Sequence, residues 1–329
     1  MKGPNRRALL AALAVLVGVT ASASALAQAA SYPNRPIRIV VPFPVGGIAD
    51  TFSRTIGIKL TEVWGQPVVV ENKTGAGGNI GAELVAKSAP DGYTLVMGNI
   101  GSHAVNVSLF KNIPFDPIKD FVPIAHVLDA EGLLVVNPSV NANSVREILA
   151  IARAQPGKLS YASGGLGTTS HLAGELFKST AKVDIVHVPY KGNSPAITDL
   201  LGGQTQMSFA TMPTVLPHVK AGKLRAIASI GLARTVALPD VPTVAESGLP
   251  GFEVSNWIGL FAPVGTPPEI VAKLNAEVQK IMRSPDVQKR LEAEGARFIP
   301  TTPEQFAAFQ KDELVKWAKI IKDANIKAE

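Results

Sequence analysis

Residues 36–47 read PIRIVVPFPVGG. From Pro36 to Phe43 the run is apolar and β-branched apart from Arg38, the pattern of a strand buried on both faces. Pro44-Val45-Gly46-Gly47 then forms a turn, and residues from about Ala49 to Val63 recur with helical spacing. A buried strand that passes through a glycine turn into a helix is the opening of a βαβ unit, and it predicts a parallel sheet covered by helices.

The rhythm continues outward from there. Pro67–Glu71 is a second strand, Gly75–Asn79 a loop, Ile80–Ser88 a helix and Tyr93–Gly98 a third strand. It then restarts. Gly132–Asn137 reads as a strand, and Ser144 with Glu147 three residues on makes a capping box. Leu159–Ser163 is a strand, Gly164–Thr168 a glycine-rich loop, and Thr169–Ser179 a helix. Asp184–Pro189 is a further strand, and Ser194 caps a helix running to Leu201. Gln206–Ala210 and Arg225–Ser229 complete the second set of strands. The tail is helical over Pro268–Arg283, Pro285–Glu294 and Pro303–Ala324, with proline at each start.

Two such sets predict an α/β protein of two lobes, each a mainly parallel sheet flanked by helices. Phe121–Leu134 is read as the outgoing connection and Glu253–Pro263 as the extended return. Two crossings make a hinge, with a ligand expected between the lobes. The expected division is residues 28–128 and 253–329 for lobe one and 129–252 for lobe two. Residues 1–27 read as a cleaved signal peptide: Lys2, Arg6 and Arg7 precede an apolar run from Ala8 to Val19, and Ala25-Leu26-Ala27 supplies a small-x-small cleavage pattern. The mature protein is therefore expected in the periplasm.

Composition narrows the function. Hydrophobic residues are 46% and charged residues 18% of the 329, enough for a large core. Loss of the leader's three positive charges lowers the formal net charge from +6 to about +3. That suits small anions, and no Lys/Arg cluster with interleaved aromatics points to nucleic acid. Cysteine is absent, so thiol chemistry and Cys-based metal sites are excluded. His103, His126, His171, His187 and His218 show no metal-ligand spacing. No phosphate loop or nucleophile elbow occurs. Gly75–Gly81 imitates a dinucleotide fingerprint, but Ile80 stands where Gly or Ala is required. The expectation is a monomer with no cofactor, no metal and no catalytic residue.

Four junctions carry the binding chemistry: Pro44–Asp50, Gly75–Asn79, Ser163–Ser170 and Tyr190–Ser194. Each lies at the carboxyl end of a strand and opens a helix, whose first N–H groups are unpaired and positively polarised. Two fall in each lobe, as clamping a carboxylate from both sides requires. The candidate ligand-binding residues are Phe43, Pro44, Gly46, Gly47, Asn79, Asn99, Ser163, Gly167, Thr168, Thr169, Ser170 and Tyr190. Ser163, Thr168, Thr169 and Ser170 offer hydroxyl donors, and a side chain at Gly47 would block close backbone approach. Asp50 reads as a first-turn carboxylate complementing its helix dipole, and His187 as a core histidine.

Several runs resemble the Bug family, the extracytoplasmic binding components of tripartite tricarboxylate transporters. They are Tyr32-Pro33-x-Arg35-Pro36-Ile37-x-Ile39-Val40-Val41-Pro42-Phe43-Pro44-x-Gly46-Gly47, Gly75–Gly81, Pro90–Leu95, His187–Gly192, Leu238–Thr243 and Gly259–Pro263. The resemblance implies a type II periplasmic-binding fold, carboxylate ligands held by the loops at Pro44–Gly47 and Ser163–Ser170, and permease subunits in the membrane as partners. Many members carry an acidic residue just after the strand matching Gln206–Phe209, where this chain has Ala210 and Thr211. That departure weakens an amino-acid ligand. Two other readings are a sensor that presents its ligand to a membrane kinase, and an exported hydrolase using Ser163 or Ser170 with His171. Adjacent Ser170 and His171 point in different directions on one helix, which makes a poor nucleophile–base pair.

Overall fold

A computed structural model describes residues 32–323 and Ile326; the leader expected over residues 1–27 lies outside them. The chain builds two sheets. The first holds β1 (Ile37–Val41), β2 (Val68–Asn72), β3 (Thr94–Asn99), β4 (Phe121–Ala130), β10 (Asn256–Pro263) and β11 (Ala296–Arg297), in the order β11-β4-β10-β3-β1-β2. The second holds β5 (Gly132–Val136), β6 (Ser160–Ser163), β7 (Val186–Pro189), β8 (Met207–Thr211) and β9 (Arg225–Ser229), in the order β7-β6-β8-β5-β9.

The opening strand behaves as its sequence dictates. Ile37, Ile39, Val40 and Val41 are wholly buried, and β1 pairs in parallel with β2 on one side and β3 on the other. Helices Ile48–Trp64 and Asn79–Ala86 follow in step, so lobe one begins as the expected βαβ repeat. Strands β6, β7 and β8 repeat the arrangement in lobe two. The capping box forms too: Ser144 Oγ accepts the Glu147 N–H at 3.2 Å, and the Glu147 carboxylate reaches back to the Asn143 N–H.

The sheets are mixed, however, where the β-turn-α rhythm alone implied mainly parallel ones. The difference lies in the connections. Phe121–Leu134 is two strands, β4 in the first sheet and β5 in the second, meeting at Glu131. The return segment is β10, which runs antiparallel to both β4 and β3. Strand β5 likewise runs antiparallel to β8 and β9. The crossing is tied by backbone hydrogen bonds on both sides: Glu131 N–H to Gly295 O and Met212 N–H to Glu131 O, each at 2.8 Å, and Val254 N–H to Ile230 O at 2.8 Å. The hinge is thus made of strand ends that exchange sheets.

The C-terminal helix Pro303–Asp323 seals lobe one beside the hinge. Glu313 is buried and accepts the indole N–H of Trp257 at 3.1 Å and of Trp317 at 3.0 Å. Lys316 Nζ lies 2.9 Å from the same carboxylate. Phe306 on this helix fills the space over Gly259 of β10, where an added Cβ would lie 2.1 Å from its ring.

Candidate functional site

All six parallel strands point their carboxyl ends at one cleft between the sheets, the place where open α/β sheets bind ligands. Its volume is about 560 Å³. Lobe one supplies Phe43 and Pro44 after β1, Gly77 and Gly78 after β2, and Asn99–Gly101 after β3. Lobe two supplies Gly164 and Leu166–Ser170 after β6, Gly192 and Asn193 after β7, and Thr211 at the end of β8. Ala130, Gly132, Ile230, Val254 and Asn256 form the hinge wall. Among the described residues lining the cleft, none is charged.

Polarity comes instead from helix starts. Thr168 caps the helix Thr169–Ala181, Gly192 caps Asn193–Leu201, Gly78 caps Asn79–Ala86 and Thr211 caps Met212–Lys220. Each such terminus carries roughly half a positive charge and unpaired N–H groups. The apolar wall is Phe43, Ile100, Phe110, Leu166, Phe209, Ile230 and Val254. The site therefore combines converging peptide donors with a greasy body, a surface suited to an oxyanion on a carbon frame.

Seven of the twelve residues singled out from sequence line this cleft: Phe43, Pro44, Asn99, Gly167, Thr168, Thr169 and Ser170. The other five do not line it. Gly46 lies in the turn with φ +84°, the left-handed region that favours glycine, and its N–H goes to Asp50 Oδ2 at 3.0 Å. Gly47 has φ −73° and ψ 163°, extended backbone open to any residue, and a Cβ there would meet only Pro44 O at 3.5 Å. The glycine requirement of this turn thus sits at Gly46. Asn79 is buried and its Oδ1 accepts from Asn106 Nδ2 at 2.7 Å. Ser163 is fully buried under the loop. Tyr190 turns its hydroxyl to Asp199 Oδ2 at 2.8 Å, and burial together with that carboxylate pushes the phenol up to about 12.

The serine and threonine hydroxyls of lobe two fall in the right place with a different task. Thr168 Oγ1 donates to Gly165 O at 2.6 Å, and Ser170 Oγ accepts the Gly164 N–H at 3.1 Å while lying 3.0 Å from Thr168 Oγ1. Ser163 Oγ accepts the Gly165 N–H at 3.1 Å and sits 2.7 Å from His187 Nε2. These side chains hold the loop from within. Thr169 and Ser170 line the cleft as the first two residues of their helix, where peptide N–H groups have no intrahelical partner. Thr169 Oγ1 donates across the cleft to Asn256 Oδ1 at 3.1 Å, joining lobe two to the hinge strand. The Ser163–His187 pair has the spacing of a nucleophile and its base, yet Ser163 is wholly buried and does not line the cleft.

Lobe one is braced as firmly. Asp50 binds the Gly46 N–H, both Nε and a terminal nitrogen of Arg54, and Asn72 Nδ2, which also donates to Phe43 O at 3.0 Å. The Arg54 guanidinium, foremost among these partners, holds the Asp50 carboxyl down at about 2. Asp50 thus fixes the Phe43–Gly47 turn in addition to complementing a helix dipole. Sequence reasoning passed over Phe110 and Asn256, and it included Asn193 only as part of the Tyr190–Ser194 junction. Asn256 left a signal, as a polar residue inside the apolar return segment EVSNWIGLFAP.

A hinged pair of α/β lobes enclosing a cleft of helix N-termini defines the class: a solute-binding protein. The sequence model of the tripartite tricarboxylate transporter family receptor matches residues 52–326. The chain is 40% identical to the protein BugT of Bordetella pertussis over 324 residues, 98% of this chain and 99% of that one. Among solved structures, a Rhodopseudomonas palustris protein with adipate superposes with a TM-score of 0.80 at 36% identity, covering 91% of this chain and all of that one. MatC from the same organism, with bound malate, gives 0.76 at 36% identity, covering 88% and 100%. The chain belongs to the tripartite tricarboxylate transporter receptor family, the Bug-type binding proteins.

Proposed function

We propose that the protein is an extracytoplasmic binding protein that captures a small organic carboxylate between its lobes and delivers it to a tripartite tricarboxylate-type membrane transporter, without transforming it. The observation that carries this reading is the cleft itself. Helix starts from both lobes converge on it, and among the described residues no lining side chain brings a competing negative charge. Relatives solved with adipate and malate support the same ligand class. The apolar wall favours an acid with a hydrocarbon body. Ala210 and Thr211 line the cleft without an acidic group near them in the lining, so an ammonium would find no partner there. A periplasmic location fits the leader read from residues 1–27, and no helix among the described residues is long and apolar enough to cross a membrane.

The test is thermal shift of the purified protein against a panel of carboxylates, their neutral amides and amino acids. An acid at a thousandfold excess over its Kd adds about 4 kcal/mol of stability, which raises Tm by several degrees. Its diamide and the amino acids should leave Tm in place. Absence of stabilisation by every acid on the panel overturns the reading.

A further inference from the structure

The two ligand loops are built on one device. In lobe one the N–H of left-handed Gly46 donates to the side chain four residues on, Asp50, at 3.0 Å. In lobe two the N–H of left-handed Gly167 donates to the side chain four residues on, His171 Nδ1, at 3.1 Å. In both cases the acceptor sits in the first turn of the helix whose N-terminus approaches the cleft. The two acceptors differ in one respect. A carboxylate accepts throughout the ordinary pH range, whereas an imidazole Nδ1 accepts only while it carries no proton.

Resting on the carboxylate-binding reading above, we propose that His171 is the positioning residue of the lobe-two ligand loop: as an uncharged acceptor it holds Gly167 and so aims the Thr169 and Ser170 N–H groups into the cleft, and on gaining a proton it releases them.

The surroundings of His171 favour the uncharged form. The ring is buried and stacks on His187 at 4.3 Å between centroids, so a second charge would face the first. His187 in turn stacks on Tyr161 at 4.8 Å. The ionisable neighbours are His187 from β7, Glu175 and Lys178 from the same helix, and Tyr161 from β6. Glu175 is engaged by the Tyr161 hydroxyl at 2.8 Å and by Lys178 Nζ at 2.8 Å, which leaves its charge matched. Burial is the chief cause that lowers the His171 pKa, with Lys178 adding to it and Glu175 opposing. Burial and the neighbouring His171 bring His187 to about 4. A histidine depressed in this way contributes stability that is complete above the free value near 6.5 and is lost as pH falls below it toward the folded value. Lobe one keeps its brace through the same window, since Asp50 stays ionised down to about 2.

Two measurements on the full protein decide the matter. The first needs no ligand. In nitrogen-15 NMR at pH 7.5, His171 should show the tautomer protonated on Nε2, and the Gly167 amide should titrate together with the His171 ring below pH 6.5. In His171→Asn the amide oxygen replaces Nδ1 as a proton-free acceptor, and the Gly167 resonance should stay fixed. The second uses adipate as probe. The Kd of wild type relative to that of H171N should be within threefold of one at pH 7.5 and should rise in step with protonation of the His171 ring as pH falls below 6.5, remaining under about tenfold at pH 5.5; the ratio cancels titration of adipate itself. His171→Leu, which has no acceptor, should bind adipate more weakly than wild type at both pH values. A ring protonated on Nδ1 at pH 7.5, or a Gly167 amide that stays fixed while the His171 ring itself titrates, overturns the proposal. Failure of adipate to bind wild type bears on the ligand class alone, because the amide titration still reports on His171.

Discussion

Gly167→Val is expected to weaken binding of the acid selected by thermal shift at least a hundredfold while the protein remains folded. Gly167 has φ +74°, and a Cβ there would lie 2.6 Å from Leu109 Cδ2. Leu109 belongs to the short helix Asn106–Leu109 of lobe one and is buried, so the glycine is where the lobes touch at the edge of the cleft. A β-branched residue adds two penalties. The left-handed conformation costs roughly 1–2 kcal/mol, and the added methyl groups wedge Leu109 and Gly167 apart. Both fall on the loop and on its contact with Leu109, which packs at the margin of the buried cluster and whose Cδ2 is the free end of a flexible side chain. Titration calorimetry reads the affinity. Small-angle scattering should show lobes that stay apart in the presence of the acid. Leu109→Ala in a Gly167→Ala background should recover part of the loss, since it restores room without removing the backbone strain. A Gly167→Val affinity within threefold of wild type would sink this account of closure.

The largest effect on stability is expected at Glu313. Glu313→Leu deprives the buried indole N–H groups of Trp257 and Trp317 of their shared acceptor and removes one partner of Lys316. A buried donor left unpaired costs about 1–3 kcal/mol, so two cost roughly 2–6 kcal/mol, and Tm should fall by on the order of 5–15 °C. Glu313→Gln keeps one acceptor oxygen and should lose clearly less. Calorimetric scanning measures both, and a Glu313→Leu Tm within about 2 °C of wild type would refute the argument. Trp257 sits in β10, immediately after the cleft residue Asn256. Loosening it should therefore also broaden the hinge end of the binding transition.

How much of this was readable beforehand follows from where each signal resides. The βα units were legible because an apolar run and the glycine turn that ends it are contiguous: PIRIVVPFPVGG contains its own strand, stop and turn. Strand β4 was not, because Pro123 interrupts it. The structure tolerates that proline at an irregularity, where the pairing register of β10 with β4 shifts between Leu260 and Phe261 and Phe261 faces Pro123. Reading Phe121–Leu134 as a connection missed the antiparallel hinge for that reason. The site divides along the same line. The segment from Ser163 to Ser170 was identifiable by its density of glycine and hydroxyl groups. The destination of each hydroxyl was not, since Ser163 meets His187, 24 residues away, and Thr169 meets Asn256, 87 residues away. Those partners are set by strand order, which local pattern does not encode.

The uncharged lining of the cleft has one more consequence. At neutral pH no cleft side chain must gain or lose a proton when a guest arrives. Loading then changes the protein's electrophoretic character by the guest's own ionic valence and exchanges nothing with the buffer. Empty and loaded molecules at that pH differ in shape and in the guest's charge alone, and a proton enters the exchange only in the acidic range where His171 gains one.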